Sequence, residues 1–589
     1  MFRIRRMLAL PAIACLCSIS TLHAQLTVPE RTNGERTSSH AEVLAFIDSL
    51  QHHGAKLEVG TLGTSPDGRR LPYVILSRPL VTTPAAARAT GKPIFYIQAN
   101  IHAGEVEGKE AMQELARDLT LGGLKPLLDS VVIIWVPIYN ADGNDAFGPQ
   151  DINRGEQNGP ELVGLRANGQ GYDLNRDYVK QEAPETRASL VLITRWDPDV
   201  FMDLHTTDGS YHGYALTWSP GLNPNHTPTN DWVQDTVLEQ VRRRVREREH
   251  FETYPYGNFD GGNAAPTGWR SYESTPRYGT NLAGMTRVSI LSEVMSHDPF
   301  LRRIAANYAF VLETIRYLNE HRADMRRRET QTARYRPDSV VVRGNSLAVS
   351  PVRMDSVLVA VTRTVTLSRS DSAIRANTTR TPAIKDTVGV CMAASTGRGG
   401  PGRGAGRGAG SGNGRGGAGG RGGAGGGTTR DVLELTGESH PLYMAVRDRF
   451  APVRKEAIPA AYVFDSSYGP VISLLRRQGI EVRQTTKGWT GRAGHFVVDS
   501  LNHTRFFEGH CGVLVEGKWA APSPDTMAAG SFVVPSNQRM GMLAAFLLEP
   551  ASEDGYANWN FFDHGLQVGA AAPVRRLLTM PAFKTVRVP

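Results

Sequence analysis

The sequence predicts an α/β domain, a sheet with helices on both sides, followed by a second, smaller β-rich domain. Three observations carry this. Between about residues 38 and 325, short apolar strand-like runs alternate with segments of helical period, the pattern of a sheet covered by helices. Two of those runs, Pro93–Ile101 and Val131–Ile138, are apolar almost throughout, as strands buried on both faces are. The 589 residues also exceed what one ordinary core accommodates. The part from 330 to 589 opens on a Val-, Thr- and Ser-rich stretch with partial alternation.

Taken in order, Ser39-x-x-Glu42 is a capping box that opens a helix through about His52. Lys56–Thr64 and Arg70–Ser77 read as strands joined by the turn Pro66-Asp67-Gly68. Strand Pro93–Ile101 leads into a helix over Val106–Leu121, where Met112, Leu115 and Leu119 recur at helical spacing. After Val131–Ile138 come two further strands, Asp197–Leu204 and Arg287–Leu291, each ending at a polar residue. A long helix follows Pro299, with Ile304, Val311, Leu312, Ile315 and Leu318 on its inner face. Arg322–Arg336 is charged and reads as a connector, and Ser339–Leu367 reads as β-structure. Residues 395–430 are almost entirely Gly, Ala and Arg, too poor in apolar surface to order themselves. They read as a disordered insertion in the second domain. Tyr462–Phe464, Val471–Leu475 and Met542–Leu548 mark that domain's core, which shows no catalytic set.

A hydrophobic fraction of 40% with 21% charged residues describes a soluble globular protein. Arg3, Arg5 and Arg6, the apolar stretch Met7–Leu22 and Ala24 before Gln25 form a secretory signal over residues 1–24. The mature chain is therefore expected in the periplasm or outside the cell. A lipid anchor on Cys15 is the other arrangement, and the residues before Cys15 fit it poorly. No later stretch is long and apolar enough to span a bilayer, so the mature chain is expected to lack a transmembrane span. Of the formal net charge of +8, three charges lie in the signal and five (Arg398, Arg403, Arg407, Arg415 and Arg421) in the stretch 398–421 of the glycine-rich run. The folded parts are close to neutral, which argues against a nucleic-acid partner. Cys391 and Cys511 remain after signal removal, as one disulfide or as two buried thiols.

The chemistry begins at His102-Ala-Gly-Glu105, where an apolar strand meets a helix. Residues i and i+3 project to the same side of a helical turn. A catalytic zinc commonly takes two His and one Glu and keeps a fourth position open. Asp203-Leu-His205 closes another strand, and ligands in open α/β sheets collect at the carboxyl ends of strands. His102 and His205 can thus share a metal, although a lone His is more often a hydrogen-bonded polar residue. His212 competes as a ligand from a Gly/Ser/Tyr loop. In Tyr172-Asp-Leu-Asn-Arg-Asp177, Asn175 and Arg176 can grip a carboxylate. Asp173 can accept the free ring N–H of a metal-bound His. Arg166 is a candidate cation for an oxyanion; taken alone, it reads as a solvated arginine. Glu293 in Leu291-Ser-Glu293 can serve as a general base, or as a structural acid. Tyr272 and Tyr278 lie in the glycine-rich stretch Gly261–Gly284, whose composition suits a mobile loop over a cleft.

Together, His102-Ala-Gly-Glu105, Tyr139-Asn-Ala-Asp-Gly143, Arg166, Asp173-Leu-Asn-Arg176, Asp203-Leu-His205 and Leu291-Ser-Glu293 resemble the zinc metallocarboxypeptidases of the carboxypeptidase A type over about residues 38–325. Leu547-Leu-Glu-Pro550 and Trp559-Asn-Phe-Phe-Asp563 resemble C-terminal extensions of exported bacterial members. The resemblance implies a mixed twisted sheet and one Zn2+ on His102, Glu105 and His205. It implies Glu293 as the base acting on metal-activated water and Arg166 as the oxyanion's cation. It also implies that Asn175 and Arg176 hold the free C-terminal carboxylate of a peptide substrate, and that Tyr272 or Tyr278 closes over it. An exopeptidase releasing C-terminal residues is the resulting expectation. The same residues would serve a zinc amidohydrolase or deacylase, or an amidase on cell-wall peptides. An inactive peptide-binding descendant is a third possibility, opposed by the complete ligand set and Glu293. No G-x-S-x-G elbow or H-E-x-x-H pair is present to support other hydrolase classes.

Overall fold

The computed structural model describes residues 26–368, 429–581 and 584–588. The signal-like segment 1–24, Cys15, Cys391 and nearly all of the glycine-rich run 395–430 lie outside the described residues.

An eight-stranded mixed sheet organises the first domain. Its strands are β1 (Leu57–Thr64), β2 (Arg70–Leu76), β3 (Ile94–Ala99), β4 (Val132–Val136), β5 (Val200–Thr206), β6 (Leu216–Pro220), β7 (Thr253–Pro255) and β8 (Val288–Val294). They lie in the order β1-β2-β4-β3-β5-β8-β6-β7. The central strands β4, β3, β5 and β8 run parallel; β2 and β6 pair with this group antiparallel, and β1 pairs antiparallel with β2. The alternation of side chains along a strand sorts the apolar residues onto two faces. Phe95, Ile97, Ile133 and Trp135 pack with helices α1 (His40–His52), α2 (Glu107–Thr120) and the long helix Phe300–Glu320. Tyr96, Ile134 and Phe201 face the other way, toward Leu190, Ile193 and Trp196 of the helix Pro184–Trp196. Ser39 caps α1 through the expected box, its hydroxyl accepting from the Glu42 amide.

Three expectations change. Arg322–Arg334 is a helix and not an irregular connector. It shows no apolar stripe because only Met325 and Thr332 are buried, and Thr332 is tied to Thr229 by hydrogen bonds. Strands β5 and β8 run past their expected ends, so His205 and Glu293 sit inside strands. Glu293 is paired on both sides, with His205 and with Thr217, and His205 on its β8 side, which extends the ladder through these polar residues. The stretch Gly261–Gly284 is also not an open loop. Gly268–Arg270 pairs with Ala445–Arg447, and Gly279–Gly284 forms a short helix.

The second region is β-rich. A long hairpin, Arg353–Ser368 with Thr429–Arg447, folds back to pair with Gly268–Arg270. Beyond it an antiparallel sheet is built around Ala461–Phe464, Phe532–Pro535, Trp489–Phe507, His510–Trp519 and Ala571–Leu577. Helices Gly469–Arg477 and Gly541–Leu548 accompany it. Its core is continuous with one face of the first sheet: Leu190, Ile193 and Trp196 belong to the same buried cluster as Leu474, Leu475 and Ile480. Gln181 Nε2 donates to Leu474 O at 3.0 Å, and Gln478 Nε2 to Tyr178 O at 2.7 Å. Each large apolar side chain taken fully out of water contributes roughly 1.5–3 kcal/mol. The two regions are therefore fused and not tethered. Among the described residues, no helix is long and apolar enough to cross a membrane.

Candidate active site

The site lies at the carboxyl ends of β3, β5 and β8. At the end of β3, Asn100 adopts a left-handed backbone (φ 66°), which Asn tolerates better than most residues. Its side-chain amide donates to Ala103 O and Glu105 O, and the Glu105 amide closes a turn onto His102 O at 2.9 Å. This turn, immediately before α2, points His102 and Glu105 inward. Gly104 between them has no room for a side chain: a Cβ there would stand 2.5 Å from Arg154 Cγ. His205 arrives from β5 and Glu293 from β8, neighbours in register across a parallel ladder.

His102 Nδ1 stands 3.0 Å from one Glu105 oxygen and His205 Nδ1 2.9 Å from the other. On the far side of each ring, His102 Nε2 lies 3.0 Å from Asp173 and His205 Nε2 3.2 Å from Asp203. Ionised carboxylates only accept, and a neutral imidazole has one N–H to donate. Each ring stands between two acceptors, so without a second ring proton one contact on each is acceptor against acceptor. A divalent cation shared by the two Nδ1 atoms and Glu105 removes that conflict. The candidate ligand atoms of His102, Glu105 and His205 all lie within 4.8 Å of one another, and all three residues are buried. Two imidazoles and a carboxylate, each imidazole backed by a further carboxylate, suit zinc. His212 is not part of the cluster; it packs edge-on against Trp269 among aromatic rings. Burial pushes its imidazole down to about 3, so it stays neutral there.

The surrounding charges are organised by the same contacts. Burial opposes ionisation of Glu105, but His102, Arg154 and hydrogen bonds from both rings outweigh it and hold the carboxyl well below its usual range. Burial likewise opposes charge on Asp173, and Arg166, Arg176 and His102 outweigh it, lowering that carboxyl too. Glu293 goes the other way: burial raises its carboxyl, Glu105 and Asp208 add to the effect, and His205 and Arg154 oppose it. Arg166 Nε donates to Asp173 at 2.9 Å, and its Nη1 reaches Glu105 at 3.5 Å.

Asn175 and Arg176 follow Asp173 on one short turn. The Asn175 amide is engaged by the frame, with its oxygen accepting from Gly279 N at 3.1 Å and its nitrogen 3.4 Å from His205 Nε2. Arg176 donates to the Asn175 carbonyl at 3.0 Å and is nearly free of carboxylates, Asp173 Oδ2 lying 3.9 Å away, and its guanidinium covers the Tyr278 ring at 4.0 Å. Tyr272 packs edge-on against Tyr278 at 5.1 Å and at a tilt against Tyr256 at 5.4 Å. Tyr278 is buried and Tyr272 half-buried. Both stand beside the site as parts of a packed aromatic row, not as tips of a loose loop. In Tyr139-Asn-Ala-Asp-Gly143 the polar groups are structural: Asn140 donates to Ile101 O and Arg166 O, and Asp142 accepts from Ser65 and Arg69.

One residue at the centre has no sequence signature. Arg154 is buried, donating to Glu105 at 2.9 Å and to the carbonyls of Thr206 and Thr207 at 3.1 and 3.0 Å. Removing one partner of a buried charge pair costs about 3–5 kcal/mol. Arg154→Ala should lower the unfolding free energy by roughly that amount in chemical denaturation. A loss below about 1 kcal/mol, the scale of an exposed pair, would show that Arg154 does not brace the site.

Residues 43–277 match the family model described as zinc carboxypeptidase. Carboxypeptidase 2 of Trichophyton rubrum is 21% identical over 530 residues, covering 87% of this chain and 81% of that protein. Succinylglutamate desuccinylase of Pseudomonas paraeruginosa is 24% identical over 263 residues, 40% of this chain and 75% of that protein. Among solved structures, the carboxypeptidase A of Helicoverpa armigera aligns with a TM-score of 0.38 and 16% identity, covering 52% of this chain and 81% of that one.

Proposed function

We propose that this chain, whose residues 43–277 match the zinc carboxypeptidase family model, is an exopeptidase releasing residues from the C-termini of peptides. The observation that carries the proposal is the convergence, at one set of strand ends, of His102, Glu105 and His205 with Glu293 and Arg176. Zinc, held by His102, Glu105 and His205, would polarise the scissile carbonyl and lower the pKa of water toward about 7.

The protein's own groups divide the remaining work. Asp173 fixes the orientation of His102 through Nε2, and Arg154 fixes Glu105. Glu293, whose carboxyl burial raises toward the protonated form, takes a proton from the attacking water and returns it to the leaving amine. Arg166, anchored on Asp173, offers its guanidinium to the charge that develops on the carbonyl oxygen. Arg176, with no close carboxylate partner, binds the substrate's terminal carboxylate, and Asn175 shapes the same end. That contact sets which bond is presented. Tyr278, lying on Arg176, is the better placed of the two tyrosines to cover the bound terminus. Export directed by residues 1–24 would bring the enzyme to extracytoplasmic peptides.

A second reading, hydrolysis of N-acyl amino acids, is favoured by one observation, the similarity to succinylglutamate desuccinylase. One assay separates the two readings. Free-acid peptides should be cleaved with kcat/KM about 100-fold above their C-terminally amidated counterparts, because a charge-assisted bidentate contact is lost. Equal turnover of the two would sink the carboxylate clamp, and turnover of acyl amino acids without any of peptides would favour the deacylase.

A further inference from the structure

A hairpin of the second domain touches the candidate site directly. Strands Trp489–Phe507 and His510–Trp519 form a hairpin whose last pair is Phe507 with His510. Its turn is therefore only two residues, Glu508-Gly509. Both have left-handed backbones, at φ 50° and 87°. Tight turns of that kind favour Asn-Gly or Asp-Gly, because a longer side chain is strained at the first position. Glu508 holds that strained conformation, and its carboxylate is where the domain meets the site. Glu508 Oε2 accepts the backbone N–H of Asp173 at 3.1 Å.

The residues beside Glu508 also contact the first domain, Gly509 and His510 on this same loop and Phe507 at Arg277. His510 Nε2 lies 2.9 Å from Glu182 Oε1, and its Nδ1 lies 3.0 Å from Asn560 Oδ1. The Phe507 ring lies under the Arg277 guanidinium at 5.2 Å, and Gly509 sits over Tyr172. Thus the hairpin tip spans Tyr172 to Glu182, the segment that carries Asp173, Asn175 and Arg176. Asp173 is fixed on every side. Its carboxylate meets His102, Arg166 and the Asn175 amide, and its own N–H is held by Glu508.

We propose that Glu508 is a positioning residue of the catalytic site supplied by the second domain, holding the Asp173–Arg176 turn so that Asp173 faces His102 and Arg176 faces the substrate's carboxylate. The inference rests on the peptidase reading for its kinetic consequence only. It follows that the second domain is a structural part of the site and not an appendage to it. A glutamine at 508 retains an oxygen that accepts the same N–H, while an alanine does not.

The test compares the full-length zinc-loaded protein with its E508A and E508Q variants, using two independent readouts. In hydrogen exchange followed by mass spectrometry, the Tyr172–Arg176 segment of E508A should exchange about tenfold faster, and that of E508Q within about threefold of the parent. With a free-acid peptide, E508A should raise KM about tenfold while kcat changes less, and E508Q should restore KM. Thermal midpoints measured alongside identify any variant that has lost its fold; were E508A to unfold, the exchange rate of E508Q against the parent, together with that of a Glu508→Ser variant, would take its place. Parent-like exchange and KM in E508A would overturn the proposal. Equal failure of E508Q and E508A would overturn the hydrogen-bond role assigned to the carboxylate. If the parent cleaves no peptide, the exopeptidase reading falls, and the exchange readout still decides what Glu508 does.

Discussion

Replacing Glu293 with Gln is expected to reduce kcat by about a thousandfold while leaving zinc content near one per chain. The two side chains have the same shape, so the buried position on β8 beside His205 can accept either. What changes is the capacity to take a proton and give it back. Positioned acid–base groups commonly contribute about 10²–10⁴-fold. Glu293 is buried and its carboxyl is raised, so an ionised Glu293 costs folding energy once the pH exceeds its unfolded value. The amide removes that cost, and the variant should unfold no earlier than the parent. Single-turnover and steady-state rates on a free-acid peptide, with metal measured on the same sample, provide the check. Near-normal turnover in E293Q would exclude Glu293 as the base.

The second large effect is expected at His205. A closed zinc site of four ligands is worth about 10–16 kcal/mol, so one ligand carries on the order of 3–4 kcal/mol. His205→Ala should therefore weaken zinc binding by several hundredfold or more and take peptidase activity to background. His212→Ala is the matched control, since that imidazole packs against Trp269 away from the cluster. Chelator competition on the parent and both variants gives the affinities. Retention of parent-like affinity in the His205 variant would remove His205 from the ligand set, and loss of zinc in the His212 variant would show that the wrong histidine had been chosen.

Much of this arrangement is readable in the chain, and what is not readable depends on tertiary contacts. His102 and Glu105 are three residues apart at a strand's end, so local geometry alone brings them together. The apolar runs of β3, β4, β5 and β8 declare a sheet buried on both faces, and polar residues at their ends stand out against them. The helix Arg322–Arg334 carries no amphipathic stripe, because tertiary anchors at Met325 and Thr332 hold it in place. Arg154 is not legible in the sequence, because its position depends on the packing of a loop over Gly104, which no periodicity encodes. Gly104 was the available hint: a glycine between two inward-facing polar residues marks a close approach by something else. Glu508 was illegible for a different reason. It meets Asp173 across 335 positions of sequence, from a turn whose residues do not follow the usual preference. The tyrosines were placed beside the site, yet glycine content was a poor guide to their surroundings, because pairing with Ala445–Arg447 orders that stretch.

The parallel pairing of Glu293 with His205 bears on how such an enzyme can diversify. Their spacing is inherited from the distance between adjacent strands, about 4.8 Å in any sheet, and from a register fixed over seven residue pairs. The proton shuttle and its neighbouring ligand therefore sit on a ruler that loop changes do not stretch. Insertions around Arg176, the aromatic row or the hairpin tip can reshape what is recognised while the distance that governs the chemistry stays constant. Selectivity is free to wander here because reactivity has been tied to the most repetitive part of the molecule.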